Sequence, residues 1–159
     1  MTILLERGEV NPGKSAQDGR TPLLCAAFNG HAGVVRMLLE RDEVNPDKPD
    51  NRDRTPLWGA ASNGHEGVVK MLLERGEVDP DKPGNHGRTP LCCAARNGHE
   101  GVVKMLLERS EVAFGKQHKD GQTPLWVAAW NGHAGVVKML LQRTEVNPDK
   151  SDKIGRAHV

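Results

Sequence analysis

The chain has 159 residues, and 22 Lys and Arg set against 21 Asp and Glu give a formal net charge of +1, so charge names no partner. With 36% hydrophobic and 3% aromatic residues, 18 Gly and 10 Pro, the composition argues against a single large globular core. No apolar run approaches the ~20 residues of a membrane span, the N-terminus lacks a basic-then-apolar leader, and Cys25, Cys92 and Cys93 make neither a disulfide framework nor a zinc site. The expected setting is soluble, reducing and cytoplasmic, with the nucleus left open.

The chain repeats itself. Thr-Pro-Leu recurs at Thr21, Thr55, Thr89 and Thr123 and Asn-Gly-His at Asn29, Asn63, Asn97 and Asn131, both at a spacing of 34 residues. In chain order, residues 1–17 form a partial unit, because Ile3 to Pro12 (ILLERGEVNP) copies the later half of a unit at the level of its second helix. Full units follow at 18–51, 52–85, 86–119 and 120–152. Within the first, Thr21 is a natural N-cap and Pro22 suits the first helical position, Leu23, Ala26 and Ala27 fall at helical spacing, and Asn29-Gly30 stops the helix. After the Gly-His corner, Val34, Val35, Met37, Leu38 and Leu39 give a broad apolar stripe on a second helix ending near Arg41. Glu43 to Arg54 carries Asn-Pro, Lys-Pro and Asp-Asn dipeptides with no periodicity and is a long polar connection. Helices below ~12–15 residues are marginal alone in water, so stability must come from stacking unit on unit, with the paired alanines allowing close approach.

The final residues, Lys153 to Val159 (KIGRAHV), abandon the pattern where another GRTPL is due. They match a one-frame translation of a common sequencing adapter and are read as a non-native tail, the alternative being a degenerate final repeat in which GRAHV replaces GRTPL. Both ends then lack the polar capping units that close repeat arrays, and self-association through uncapped ends is expected.

The order and distances of G-x-TPL, AA, GH, VV and LL resemble the ankyrin repeat, over Ile3 to about Asp152. Tetratricopeptide repeats share the period but devote most of it to two longer helices and lack TPL and the long Pro/Gly/Asp connection. The resemblance implies an all-α ankyrin solenoid of helix-turn-helix units with long connecting loops. Two departures stand out. Where the family usually has TPLH, this chain has Leu24, Trp58, Cys92 and Trp126, which removes the hydrogen bonding of that histidine. Gly33, Gly67, Gly101 and Gly135 sit inside the second helix at ~1 kcal/mol each relative to Ala, for which close helix packing is the physical reason to look for.

Several motifs mislead. Gly8 to Ser15 spells a phosphate-binding loop, but a helix rather than a strand precedes it and no helix begins at its end; the later copies VNPDKPD and VDPDKPG make Gly13, Lys14 and Ser15 ordinary variants of Asp-Lys-Pro. His31, His65, His99 and His133 recur once per unit, and stacked helices stand ~8–10 Å apart, too far to share an ion. The ankyrin resemblance casts them as structural residues bonding neighbouring turns. Cys92 and Cys93 point apart on a helix and read as buried packing. No catalytic set lies outside the repeating positions, so the expectation is a protein that is not an enzyme, with no cofactor, metal, membrane or nucleic-acid partner.

Information for binding should lie where units differ. Before Asn-Gly-His the chain holds Phe28, Ser62, Arg96 and Trp130; before Thr-Pro-Leu it holds Arg20, Arg54, Arg88 and Gln122; the connection tips include Arg52, His86 and Lys119. The third unit carries a net charge of +3 against −2 and −1 for the first two, and its connection reads VAFGKQHK, presenting Phe114. The resemblance places tips and first helices on one concave face. The expected function is therefore a non-catalytic scaffold that binds a protein partner through that face. Units this alike also resemble fungal arrays that follow an NTPase module in immune-type receptors, so the alternative is a recognition or regulatory segment of a larger multidomain protein.

Overall fold

The computed structural model describes residues 10–115 and 117–144. The leading residues 1–9, Lys116 and the KIGRAHV tail lie outside the described residues, and with them most of the expected partial unit and the expected non-native end.

Each unit opens with the same local chemistry. Thr21 is extended, and its hydroxyl oxygen accepts the Leu24 N–H at 3.1 Å while Pro22 supplies a residue with no N–H to satisfy. Thr55, Thr89 and Thr123 repeat this toward Trp58, Cys92 and Trp126 at 3.1, 3.2 and 3.1 Å. The helices that follow are α1 (Pro22–Phe28), α3 (Pro56–Ser62), α5 (Pro90–Arg96) and α7 (Pro124–Trp130). Asparagine caps each of them, and Gly30, Gly64, Gly98 and Gly132, all at φ +75, reverse the chain. The second helices are α2 (Ala32–Leu39), α4 (Glu66–Leu73), α6 (Glu100–Leu107) and α8 (Ala134–Thr144). A short 3-10 turn at Asn85–Gly87 interrupts one connection, and there is no strand among the described residues.

Successive units stack first helix on first helix and second on second, with the closer contact along the first-helix row. The paired alanines explain that closeness: Ala27, Ala60, Ala61, Ala94, Ala95 and Ala128 are fully buried. Val35, Leu38, Val69, Leu72, Val103 and Leu106 fill the space between rows in one continuous core that runs the length of the array.

Two polar ladders fasten unit to unit. The Phe28 carbonyl accepts from His65 Nε2 at 3.1 Å and from Asn63 at 3.2 Å; the Ser62 carbonyl accepts from His99 and Asn97, and the Arg96 carbonyl from His133 at 2.9 Å. Each imidazole also lies over the turn glycine of the unit before it, where a Cβ on Gly30 would meet the His65 ring at 2.5 Å. At the other end of the second helices, Arg75 and Arg109 donate to the Leu39 and Leu73 carbonyls at 2.9 and 3.0 Å.

Close packing does not explain the glycines of the second helices. Each is the second helical residue, a Cβ on Gly33 or Gly67 would meet nothing within 4 Å, and on Gly101 or Gly135 it would meet only the flexible carboxylates of Glu66 and Glu100.

Candidate functional site

The connections fold into tight turns whose tips lie side by side. Asn51 donates its backbone N–H to the Asp18 carbonyl at 3.0 Å and its side-chain amide to the Gln17 carbonyl at 3.1 Å, so this tip rests on the one before, and the Lys119 N–H reaches the His86 carbonyl at 3.5 Å. Three hollows run along this side. One is lined by Arg20, Arg52 and Arg54 with Asp18 and Asp50; a second gathers Arg52, His86 and Lys119; the third, about 290 Å³, holds Arg88, Arg96, Gln122 and Trp130 with Asp120 and Trp126.

The arginines before Thr-Pro-Leu differ in their partners. Arg20 Nε lies 2.6 Å from Asp18, and the Arg20 backbone and side-chain donors hold the Asp18 carboxyl below its usual range. Arg54 binds Asp50 through Nε and Nη2 at 2.8 and 2.7 Å, and Asp50 also accepts the backbone N–H groups of Arg52 and Arg54 at 2.9 Å. Burial pushes the Asp50 carboxyl up, but those four donors outweigh it and hold it down. Gln122, in the same column, places Oε1 2.9 Å from His118 Nε2, while His118 Nδ1 accepts the Asp120 N–H at 3.2 Å. That arrangement puts the single imidazole proton on Nε2. Burial foremost, helped by Arg88 and Arg96, pushes the His118 pKa down.

Several of the varying residues are engaged inside the array. Phe28 is half-buried, with its ring on Gly59 of the next unit and the Arg54 guanidinium 5.7 Å above it. Ser62 is half-buried beside Asn97 and His99. Phe114 packs against the core with Arg143 of α8 over its ring, and it lines none of the three hollows. Arg52, His86, Arg96 and Lys119 face solvent, and Trp130 is 75% exposed.

Two contributors escaped sequence reasoning. Trp126 stacks on Trp130 with ring centroids 5.2 Å apart and planes within 8°, a pairing that the i, i+4 spacing on one helix could have signalled. Trp58 donates its indole N–H to the Arg88 carbonyl of the next unit at 2.9 Å.

Residues 10–15, the described part of the phosphate-loop spelling, form a turn closed by Asn11. Asn11 accepts the Gly13 N–H through its side chain and the Lys14 N–H through its carbonyl, and the next helix starts only at Pro22. Among the described residues no group of three or more His, Cys, Asp or Glu is placed to hold a metal, and no helix is long and apolar enough to cross a membrane. Cys92 and Cys93 are buried, which pushes their thiols up to about 11 and about 12.

The helix pairs, their Thr-Pro starts and the inter-unit histidines accord with the family model described as ankyrin repeats (3 copies), which matches residues 1–83 and 77–152. The chain belongs to the ankyrin repeat family. Comparison with curated proteins finds no match. Ankyrin repeats form protein–protein interaction modules and are generally non-catalytic.

Proposed function

We propose that this ankyrin array is a non-catalytic scaffold that binds a protein partner across the concave face made by its first helices and connection tips. The observation that carries the reading is Trp130, a large aromatic residue 75% exposed at a position that changes in every unit while the stacking positions stay fixed. Trp and Arg are the residue types that dominate interface energetics, and Arg96 occupies the same register one unit earlier. The tighter contact along the first-helix row supports curvature toward that side. Around these two, Arg20, Arg52, Arg54, His86, Arg88, Lys119 and Gln122 supply the polar surround, with Phe28 and Ser62 as partly covered contacts and Phe114 as a separate one.

The test uses a partner obtained by affinity capture with the intact chain. Replacing Phe28, Arg96 and Trp130 with Ala lowers its affinity about tenfold or more while helical circular dichroism is retained. Unchanged affinity moves the interface elsewhere.

The reading extends to the outer side of the fourth unit. Ala129 and Leu141 are exposed there, whereas their counterparts Ala95 and Leu107 are 0% and 6% exposed beneath the following unit. Copies of the chain associate through this stacking face, so light scattering at high concentration gives a mass above that of the monomer. A monodisperse monomer removes this part of the proposal.

A further inference from the structure

The third hollow differs from the first in how its arginines are paired. Arg20 and Arg54 each lie within 3 Å of a carboxylate, from Asp18 and Asp50. At the registers of those two acids the third unit has His86 and Gly84. Gly84 has no room to be an acid, because a Cβ there would fall 2.5 Å from the Trp58 ring. The indole that bonds the Arg88 carbonyl thus also denies the Arg88 guanidinium a neighbouring carboxylate. Among the described residues the Arg88 side chain makes no ion pair or hydrogen bond, and its Nε is buried without an acceptor. Arg96 lines the same groove, faces solvent and likewise has no ion pair among the described residues. Asp120 lines it too, but its side chain is 66% exposed and its oxygen stands 3.9 Å from His118, so it pairs with neither guanidinium.

We propose that this groove anchors an acidic linear segment of the partner, seating a Glu or Asp carboxylate between Arg88 and Arg96 with an apolar neighbour on the exposed face of Trp130. This rests on the scaffold reading above and names the chemistry of its partner. Planar guanidiniums take carboxylates through two parallel N–H donors, and neither Arg88 nor Arg96 has an ion-pair partner among the described residues to give up on binding one. Trp130 needs no rearrangement, since Trp126 already backs its ring.

The test titrates the full chain with three capped peptides that differ at one pair of positions flanking a leucine: glutamates, glutamines, or phosphoserines. Tryptophan fluorescence and the guanidinium and indole N–H resonances report binding. The glutamate peptide binds about tenfold more tightly than the glutamine peptide, weakens as ionic strength rises, and shifts the Arg88, Arg96 and Trp130 signals. Arg88→Met and Arg96→Met each lower its affinity about tenfold, while Arg36→Met on α2 leaves it unchanged. Equal binding of glutamate and glutamine peptides, binding of the phosphoserine peptide alone, or indifference to both arginine variants overturns the proposal. If the captured partner is lost on replacing Trp130 but not on replacing Arg88 and Arg96, the acidic anchor falls and the scaffold stands. If the triple variant at Phe28, Arg96 and Trp130 leaves the partner bound, the scaffold reading itself falls.

Discussion

The indole N–H of Trp58 meets the carbonyl of Arg88, one unit further along the stack, at 2.9 Å. The same carbonyl receives the Gly84 N–H at 2.7 Å, so the turn that ends the connection is held from two sides. Where Trp58 stands over Gly84, the neighbouring units pair smaller residues with larger ones in the same registers, Leu24 with Asp50 and Cys92 with His118. The larger residue of each pair stands opposite the smaller one, and the polar partner of the residue before the following Thr-Pro-Leu, Arg54, Arg88 or Gln122, changes with it.

This relationship gives a double-mutant cycle. Trp58→Phe removes one donor and lowers stability by about 1 kcal/mol in urea unfolding, whereas Gly84→Ala drives a methyl into the indole and costs about 1–3 kcal/mol. Gly84→Asp alone is worse still. Trp58→Leu combined with Gly84→Asp recreates the first pairing and gives Arg88 a carboxylate, so the double variant is more stable than the sum of its parts. Additive costs show that the two positions are uncoupled.

The glycines at the start of the second helices make the opposite prediction. Nothing approaches Gly33 or Gly67, and neither has positive φ. Gly33→Ala and Gly67→Ala therefore each stabilise the array by about 0.5–1 kcal/mol, read as a higher urea midpoint at unchanged slope. Asp53 is the converse case: it sits at φ 63 where the other units have Gly19, Gly87 and Gly121 at φ 83, 73 and 77. Asp53→Gly relieves that backbone and adds about 0.5 kcal/mol. Loss of stability in any of the three variants means that the position has a partner not accounted for by backbone or packing.

Thiol chemistry separates the three cysteines. Cys25 is exposed, and Cys92 and Cys93 are 1% and 4% exposed with thiols pushed up to about 11 and about 12. At mildly alkaline pH roughly one buried thiol in a thousand or fewer is thiolate at any moment. A disulfide reagent titrates one thiol per native chain quickly and the other two only on unfolding. Because both folded values lie above the ordinary thiol value of 9.0, the unfolded chain gives up these protons first. Their contribution is fully present below that value and is lost as pH rises toward 11 and 12. Fast reaction of all three thiols would show the third unit to be open.

Much of the architecture is legible in the chain because it is local or periodic. Thr21-Pro22 caps a helix wherever it occurs, Asn29-Gly30 ends one, and a 34-residue recurrence says that whatever one unit buries the next must cover. The candidate surface is harder to read, since it depends on which residues meet across units. Arg20 takes its acid from two residues back and Arg54 from four back, so no fixed offset reveals that Arg88 has none. Phe28 looks like a free hydrophobic anchor until Gly59, in the next unit, is seen to leave room for its ring. The Trp58 bond goes to a backbone carbonyl, which carries no mark in the sequence.

Acid should act on the connections in two stages. His118 is the first: its Nδ1 accepts the Asp120 N–H, so a second proton there breaks that bond, and burial with Arg88 and Arg96 has already pushed its pKa below the ordinary 6.5. A folded value below the unfolded one means stability is fully present above 6.5 and falls as pH drops through the lowered value. Asp50 is the second. Its carboxyl is 1% exposed, accepts four N–H donors from Arg52 and Arg54, and is held below its ordinary 3.8, so its contribution is present above that value and lost as pH falls through the depressed one. Asp50→Ala removes the second stage and costs about 3 kcal/mol near neutrality, because Arg54 is left part-buried without its partner. His118→Asn removes the first stage alone. Urea midpoints measured against pH separate them: the two variants flatten different parts of the profile, and a profile that changes in neither would mean that these connections are not held by the two side chains.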